Sequence, residues 1–239
     1  MTSIWDKSLP SGSNIAVHNI DGDVTVVPSS SGKVEVLGAK SGRDTSDVYA
    51  EVHETRDGIV ICVMWRHARG TCDEEGYNSH SRHGDWNSDD ASGSMDLEVR
   101  IPAGMRVSAG SVSGNVHVTG AEGDLRVHSV SGDVQVESSR ATSFVASSVS
   151  GDVSVKATSL TGSGRLSAKS VSGNITLELP KDFAADVRMT TVSGDLQSDF
   201  PMTLEGRQTR RGLEGKIGSG GRDLQLSTVS GNVRIRIAK

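Results

Sequence analysis

Four groups of residues in this sequence have the means to do chemistry: a crowd of histidines and acids, serines repeated beside glycine, aspartates repeated after glycine, and two cysteines. The crowd consists of His67, Cys72, His80 and His83 with Asp73, Glu74, Glu75 and Asp85, all competent metal ligands. Zinc sites are recognised by paired ligands. Here there is no Cys-x2-Cys pair and His80-x2-His83 stands alone, so the segment reads as an ordinary solvated loop and no metal is assigned. Tyr77 and Trp86 in the same stretch offer ring faces, which makes Tyr77, His80, His83 and Trp86 the candidate contact residues for an unknown protein or glycan partner. Cys62 and Cys72 are too few for a disulfide framework; if the chain is exported, a bridge between them is a stronger candidate than a metal site, and the sequence leaves open whether the two are bridged.

Ser113, Ser131 and Ser150 each precede a glycine. A nucleophilic serine needs a strained elbow and a base within reach, yet no Gly-x-Ser-x-Gly occurs and no His or Asp recurs beside these serines. They read instead as a core-facing packing stack. Asp133, Asp152 and Asp195 share their position with Asn115, Asn174 and Asn232. A calcium column would hold to carboxylates, whereas turns accept either residue, and carboxylates about 5 Å apart in water repel by only about 1 kcal/mol. No catalytic residue and no cofactor is therefore assigned.

The serine and Asp/Asn positions fall within one repeated unit, Ser/Thr-Val-Ser-Gly-Asp/Asn-aliphatic, which begins at Ser111, Ser129, Ser148, Ser170, Thr191 and Thr228. The motif glycines are Gly114, Gly132, Gly151, Gly173, Gly194 and Gly231, with Gly22 in a degenerate earlier copy; the spacings from Gly114 on are 18, 19, 22, 21 and 37 residues. Nine residues before each motif aliphatic stands another apolar residue: Ile15 before Val24, Val107 before Val116, Leu125 before Val134, Phe144 before Val153, Leu166 before Ile175, Val187 before Leu196 and Leu224 before Val233. The spacing onward varies, so insertions collect at one corner. Alternation such as Val134-Gln135-Val136 is strand-like, and the Gly-Asp/Asn step suits a corner because these residues tolerate positive φ.

The expected fold is all-β: a single-domain parallel β-solenoid with two short strands per coil of about 18–22 residues. A β-sandwich of hairpins is the structural alternative, disfavoured because near-identical units at a coil-like period stack in parallel more readily than they pair antiparallel. Residues 1–28 form the first coil, 29–104 insert strands around Val34, Val48, Ile59 and Met95 with an exposed loop at 66–94, and 105–239 hold the regular coils. Residues 198–221 are either a degenerate coil or a protruding hairpin. The last coil, Thr228 to Ile237, runs almost to the C-terminus and is expected to leave an open edge, whose charges at Arg234, Arg236 and Lys239 favour a closed homodimer over a fibre.

Composition narrows the function. Only 34% of residues are hydrophobic and 3% aromatic, so small β-branched side chains must do the packing. A net charge of -5 argues against nucleic acid as a partner, because that affinity rests on clustered Lys and Arg. The first residues lack an apolar signal segment, and the longest apolar run, Ile59 to Trp65, is too short for a direct membrane span. Taken as written, the chain reads as cytoplasmic.

The serial Ser-Val-Ser-Gly-Asp-Val units, the lead-in Leu97-Glu98-Val99-Arg100-Ile101-Pro102-Ala103-Gly104 and the early Asn19-Ile20-Asp21-Gly22-Asp23-Val24 together resemble the bacterial DUF4097 family of adhesin-like β-strand-repeat proteins. That resemblance covers almost the whole chain except residues 66–94. It implies a β-solenoid, association with the cell envelope and no catalytic residues. Residues and resemblance together lead us to expect a non-catalytic binding or scaffold module; the alternative is a self-assembling structural polymer.

Overall fold

The computed structural model describes residues 1–66, 70–73, 76–79, 93–138, 140–205, 209 and 211–238. Among these no helix is found, hence none long and apolar enough to cross a membrane. The chain opens with β1 (Thr2–Lys7), β2 (Asn14–Asp21) and β3 (Val24–Pro28). It continues through β4 (Val34–Gly42), β5 (Val48–Glu54), β6 (Gly58–Trp65), β7 (Gly70–Asp73), β8 (Gly76–Ser79) and β9 (Gly93–Ile101). The repeat region supplies β10 (Arg106–Ser113), β11 (Val116–Thr119), β12 (Glu122–Ser131), β13 (Val134–Ser138), β14 (Arg140–Ser150), β15 (Val153–Ala157), β16 (Leu166–Ser172) and β17 (Ile175–Leu179). The last stretch gives β18 (Ala185–Thr190), β19 (Leu196–Ser198), β20 (Met202–Leu204), β21 (Gly212–Ile217), β22 (Asp223–Ser227) and β23 (Val233–Ile237).

Two large mixed sheets face each other across the core. Sheet A runs β1-β4-β9-β3-β11-β13-β15-β17-β23-β19, and sheet B runs β20-β21-β18-β22-β16-β14-β12-β10-β2-β6-β5. Each Gly-Asp/Asn step carries the chain from sheet B to sheet A, and successive strand pairs stack in parallel, one rung upon the next. The nine-residue spacing becomes two inward columns. In sheet B, Val107 lies opposite Leu125, Leu125 opposite Phe144, Phe144 opposite Leu166 and Leu166 opposite Leu224. In sheet A, Val116, Val134, Val153, Ile175 and Val233 line up in the same way. Small inward neighbours such as Ala109, Ala146 and Ala168 are fully buried beside them, which explains how so few aromatics fill the interior.

The inserted region contributes a rung of its own. β6 runs parallel to β2 with Ile59 opposite Ile15, and β9 runs parallel to β3 with Leu97 opposite Val24. Antiparallel strands finish this end: β4 on β9, β1 on β4, and β5 on β6 through the hairpin at Thr55 to Gly58, where the Thr55 N–H donates to the Gly58 carbonyl at 2.9 Å. The 66–94 stretch is not wholly loop. It contains the β7–β8 hairpin, and Gly93 and Ser94 already belong to β9, because Gly93 and Ser94 pair with Gly42 and Ser41.

At the other end the sequence reading needs correction, because the final rung does not expose an edge. β22 lies between β16 and β18, and β23 lies between β17 and β19. The ladder groups expected to be free are therefore largely paired, and the argument for a homodimer through that edge falls away. Beyond β18, β21 and then β20 add antiparallel, so the described strands within residues 198–221 pair as a hairpin rather than continuing as a coil. Phe183 and Phe200 meet edge to face at 6.0 Å and close the interior there.

Candidate binding surface

The repeated serines divide into two sets with different work. The first serine or threonine of each unit is buried and donates its hydroxyl to the glycine carbonyl of the neighbouring rung: Ser111 to Gly22 at 2.9 Å, Ser129 to Gly114 at 2.8 Å, Ser148 to Gly132 at 2.8 Å, Ser170 to Gly151 at 3.0 Å and Thr228 to Gly173 at 2.9 Å. Ser113, Ser131 and Ser150, expected to face the core, are exposed. The corner has already turned by that residue. Ser148→Ala should therefore lower stability by about 1 kcal/mol in urea unfolding, while Ser150→Ala should stay within about 0.5 kcal/mol; equal effects would contradict the assignment.

The Asp/Asn position is a hydrogen-bond ladder. The Asp133 N–H donates to Asn115 Oδ1 at 2.9 Å, the Asp152 N–H to Asp133 Oδ1 at 2.8 Å, the Asn174 N–H to Asp152 Oδ1 at 2.7 Å and the Asn232 N–H to Asn174 Oδ1 at 3.0 Å. Either side chain offers the same oxygen at the same place, which is why the two interchange. Among the described residues no non-glycine takes a positive φ, so the turn role expected of Asn and Asp is replaced by this acceptor role. Asp96, which lies outside the motif, starts the ladder by accepting the Asp23 N–H at 2.9 Å. Among the described residues no three His, Cys, Asp or Glu side chains converge to hold a metal.

The motif glycines answer to crowding. A Cβ on Gly22, Gly114, Gly132, Gly151, Gly173, Gly194 or Gly231 would overlap a backbone carbonyl of the adjacent rung well inside 3.0 Å. Gly151 shows that this is the common cause, since it does not need the left-handed region at all.

On the outer face of sheet B, the β7–β8 hairpin is tied down by a Cys62–Cys72 disulfide with the Cα atoms 6.0 Å apart. Cys62 is buried with Ala16, Val60 and Met64 in a second small apolar cluster, against which Tyr49 and Cys72 pack. The chain leaves and re-enters the stack at one place, since the Trp65 indole N–H donates to the Gly93 carbonyl at 2.9 Å. Arg66 lies over the Tyr49 ring at 5.2 Å. Tyr77 occupies β8 opposite Cys72, whereas His80, His83 and Trp86 lie outside the described residues. Close by, His18 and His128 flank Gly110 in the sheet, and a side chain at Gly110 would collide with the His128 ring. Burial, then the charge of His128, holds His18 below the usual imidazole value, with Asp73 pulling the other way; burial also lowers His128. Sequence reasoning passed over these two because neither belongs to the motif. Only the glycine between them in the stack hinted at them.

The insertion-bearing corner forms the other recessed surface. A cavity of about 500 Å³ lies there, bounded by Leu160, Pro180, Asp182, Phe183 and Arg222, and a second of about 320 Å³ lies beside Glu122, Arg140 and Thr161. Arg222 is only 7% exposed. Its guanidinium donates to the carbonyls of Thr142 at 2.9 Å, Gly164 at 3.1 Å and Thr161 at 2.9 Å, and to that of Gly162. Burial pulls its pKa down, but a guanidinium remains charged. Nearby, hydroxyl donors from Ser143 and Thr142, both at 2.7 Å, hold the Asp124 carboxyl below its ordinary value.

Comparison with solved structures finds a "putative cell adhesion protein" from Clostridium sporogenes at 7% identity and TM-score 0.55, covering 97% of each chain. A "putative adhesin" from Bacteroides fragilis aligns at 14% identity and TM-score 0.44 over 97% of this chain and 95% of its own. The first likeness supports the fold. No curated protein matches. The family model described as Toastrack DUF4097 matches residues 8–236, and the chain belongs to that family.

Proposed function

We propose that this chain is a non-catalytic, adhesin-like binding module of the cell envelope: a single β-solenoid domain whose rigid stack is scaffold and whose hairpin region is the contact surface. The observation that carries the proposal is the Cys62–Cys72 bridge. It fastens β7 and β8, which lie outside both large sheets, to the outer face of the stack, and so anchors the strand that carries Tyr77 and that precedes His80, His83 and Trp86 in the sequence. Such a bridge also fits an oxidising, extracytoplasmic location, and the likeness to the "putative cell adhesion protein" of Clostridium sporogenes points the same way. Antiparallel strands at both ends of the stack disfavour the rival reading of a polymer growing coil upon coil.

The test compares the full chain with a version in which residues 74–92 are replaced by a short Gly/Ser linker, both fluorescently labelled and applied to a glycan array and to intact bacterial cells. The shortened chain should keep its β-type circular dichroism and lose binding. Equal binding by both would place the contact surface elsewhere, and a collapse of the spectrum would show that the segment is structural.

A further inference from the structure

One line of residues on the outside of the stack has no part in the core, the corner ladders or the hairpin. Val112, Val130, Val149, Val171, Val229 and Val192 occupy successive rungs in that spatial order, and their exposures run from 42% to 55%. Strand propensity alone does not account for them. Two residues earlier, on the same outer face, the equivalent positions are Gly110, His128, Ser147, Lys169, Ser227 and Thr190. That outward column carries five residue types over six rungs, from glycine to lysine, yet the more exposed column beside it is valine six times. At about 4.8 Å per rung the valines make an unbroken apolar row roughly 24 Å long.

We propose that this row is a self-association surface and that its occupant is the same row of a second copy, laid antiparallel about a two-fold axis. Period supplies the first argument. A partner must present apolar groups at the spacing of stacked strands, and a second copy necessarily does, so the two sets of valines interdigitate as facing sheets do in a dry zipper. Charge supplies the second. The chain is 23% charged, but neither the six valines nor the serine following each of them carries a charge, so two copies meet there without the repulsion their net charge of -5 would otherwise bring. The ends of the row supply the third. Beyond Val112 the serine column is occupied by Asp21, paired in register with Ser113, while at the Val192 end Arg211 lies alongside, its carbonyl accepting the Thr191 N–H at 2.9 Å. Antiparallel alignment sets the Asp21 end of each copy against the Arg211 end of the other, and parallel alignment sets like against like. The contact is isologous and closes at two subunits. It also carries two disulfide-pinned hairpins on one particle, which raises avidity for a repetitive surface.

The experiment is sedimentation velocity of the full chain across concentration, alone and with Val149→Thr combined with Val171→Thr, together with oxidative cross-linking of single cysteine variants. The wild type should pass from monomer to dimer, and the double variant, which keeps β-branched residues in the strands, should raise the dissociation constant at least tenfold with an unchanged circular dichroism spectrum. Val149→Cys, near the centre of the row, should cross-link into dimers, while Val112→Cys, at one end, should not. A wild type that remains monomeric, a dimer indifferent to the double variant, equal cross-linking at both positions, or growth past the dimer would each overturn the proposal.

Discussion

Gly151→Ala is expected to lower the stability of this chain by at least about 3 kcal/mol, and Gly151→Val by more, whereas Ser154→Ala on an outward position of β15 should stay within about 0.5 kcal/mol. The cause is steric and lies between rungs. A single Cβ at residue 151 overlaps the carbonyl of Gly132, and that carbonyl is also the acceptor for the Ser148 hydroxyl. Backbone cannot swing aside as a side chain would. Relief requires the two rungs to separate, and separation weakens the parallel ladders on both sides of the corner, from Val134 with Val153 to Leu125 with Phe144. Melting curves for the three variants decide the matter; a Gly151→Ala melt indistinguishable from that of Ser154→Ala would show that the corner is more yielding than its geometry implies.

The second large effect is expected at Arg222. Arg222→Met preserves much of the apolar stem and removes the guanidinium, leaving the carbonyls of Thr142, Thr161, Gly162 and Gly164 without their common donor. Hydrogen bonds to a charged group contribute about 1.5–3 kcal/mol each, and part of that is recovered as water enters the adjoining cavity, so a net loss of about 3 kcal/mol is expected. Lysine should restore less than half of it, because one ammonium cannot reproduce the planar fork. Arg140→Met is the fitting control, since that residue is well exposed and its ion pair with Glu122 adds little. Urea midpoints at constant slope would report the difference, and matching midpoints for Arg222→Met and Arg140→Met would refute the role assigned here.

The repeat was legible because a parallel stack in register demands the same residue type at the same place on every rung. The inward columns through Val116 and Val107 follow directly from that. Alternation misled only where the strand ends. Counting by twos from Val107 and Ala109 brings both Ser111 and Ser113 inward, but the corner begins before Ser113 and turns it out. Glycine was identified at the right positions for an incomplete reason, since positive φ is a property of one residue and crowding is a property of two rungs. What the sequence could not carry was order in space. Nothing local to β6 says that it pairs with β2, because residues 66–92 separate it from β9, its partner in the same rung. The anchoring of the hairpin was equally hidden. Cys62 falls in an eight-residue strand buried at every position, with no pattern to show which face holds the bridge. Arg222 lies between two glycines and an aspartate and resembles any surface turn; its burial depends on carbonyls brought from residues 142 to 164.

The placement of β22 and β23 between strands that precede them in sequence has a consequence for how the protein is made. A nascent chain leaves the ribosome with β16 and β17, then β18 and β19, before the residues that belong between them exist outside it. Until those residues emerge, four strand edges face a gap one rung wide, and each edge is open to any extended segment nearby. Completion is thus deferred until residues 223–237 have emerged, and a product released before residue 223 lacks the rung that joins β16 to β18 and β17 to β19. Chaperones that shield strand edges would matter most during that interval.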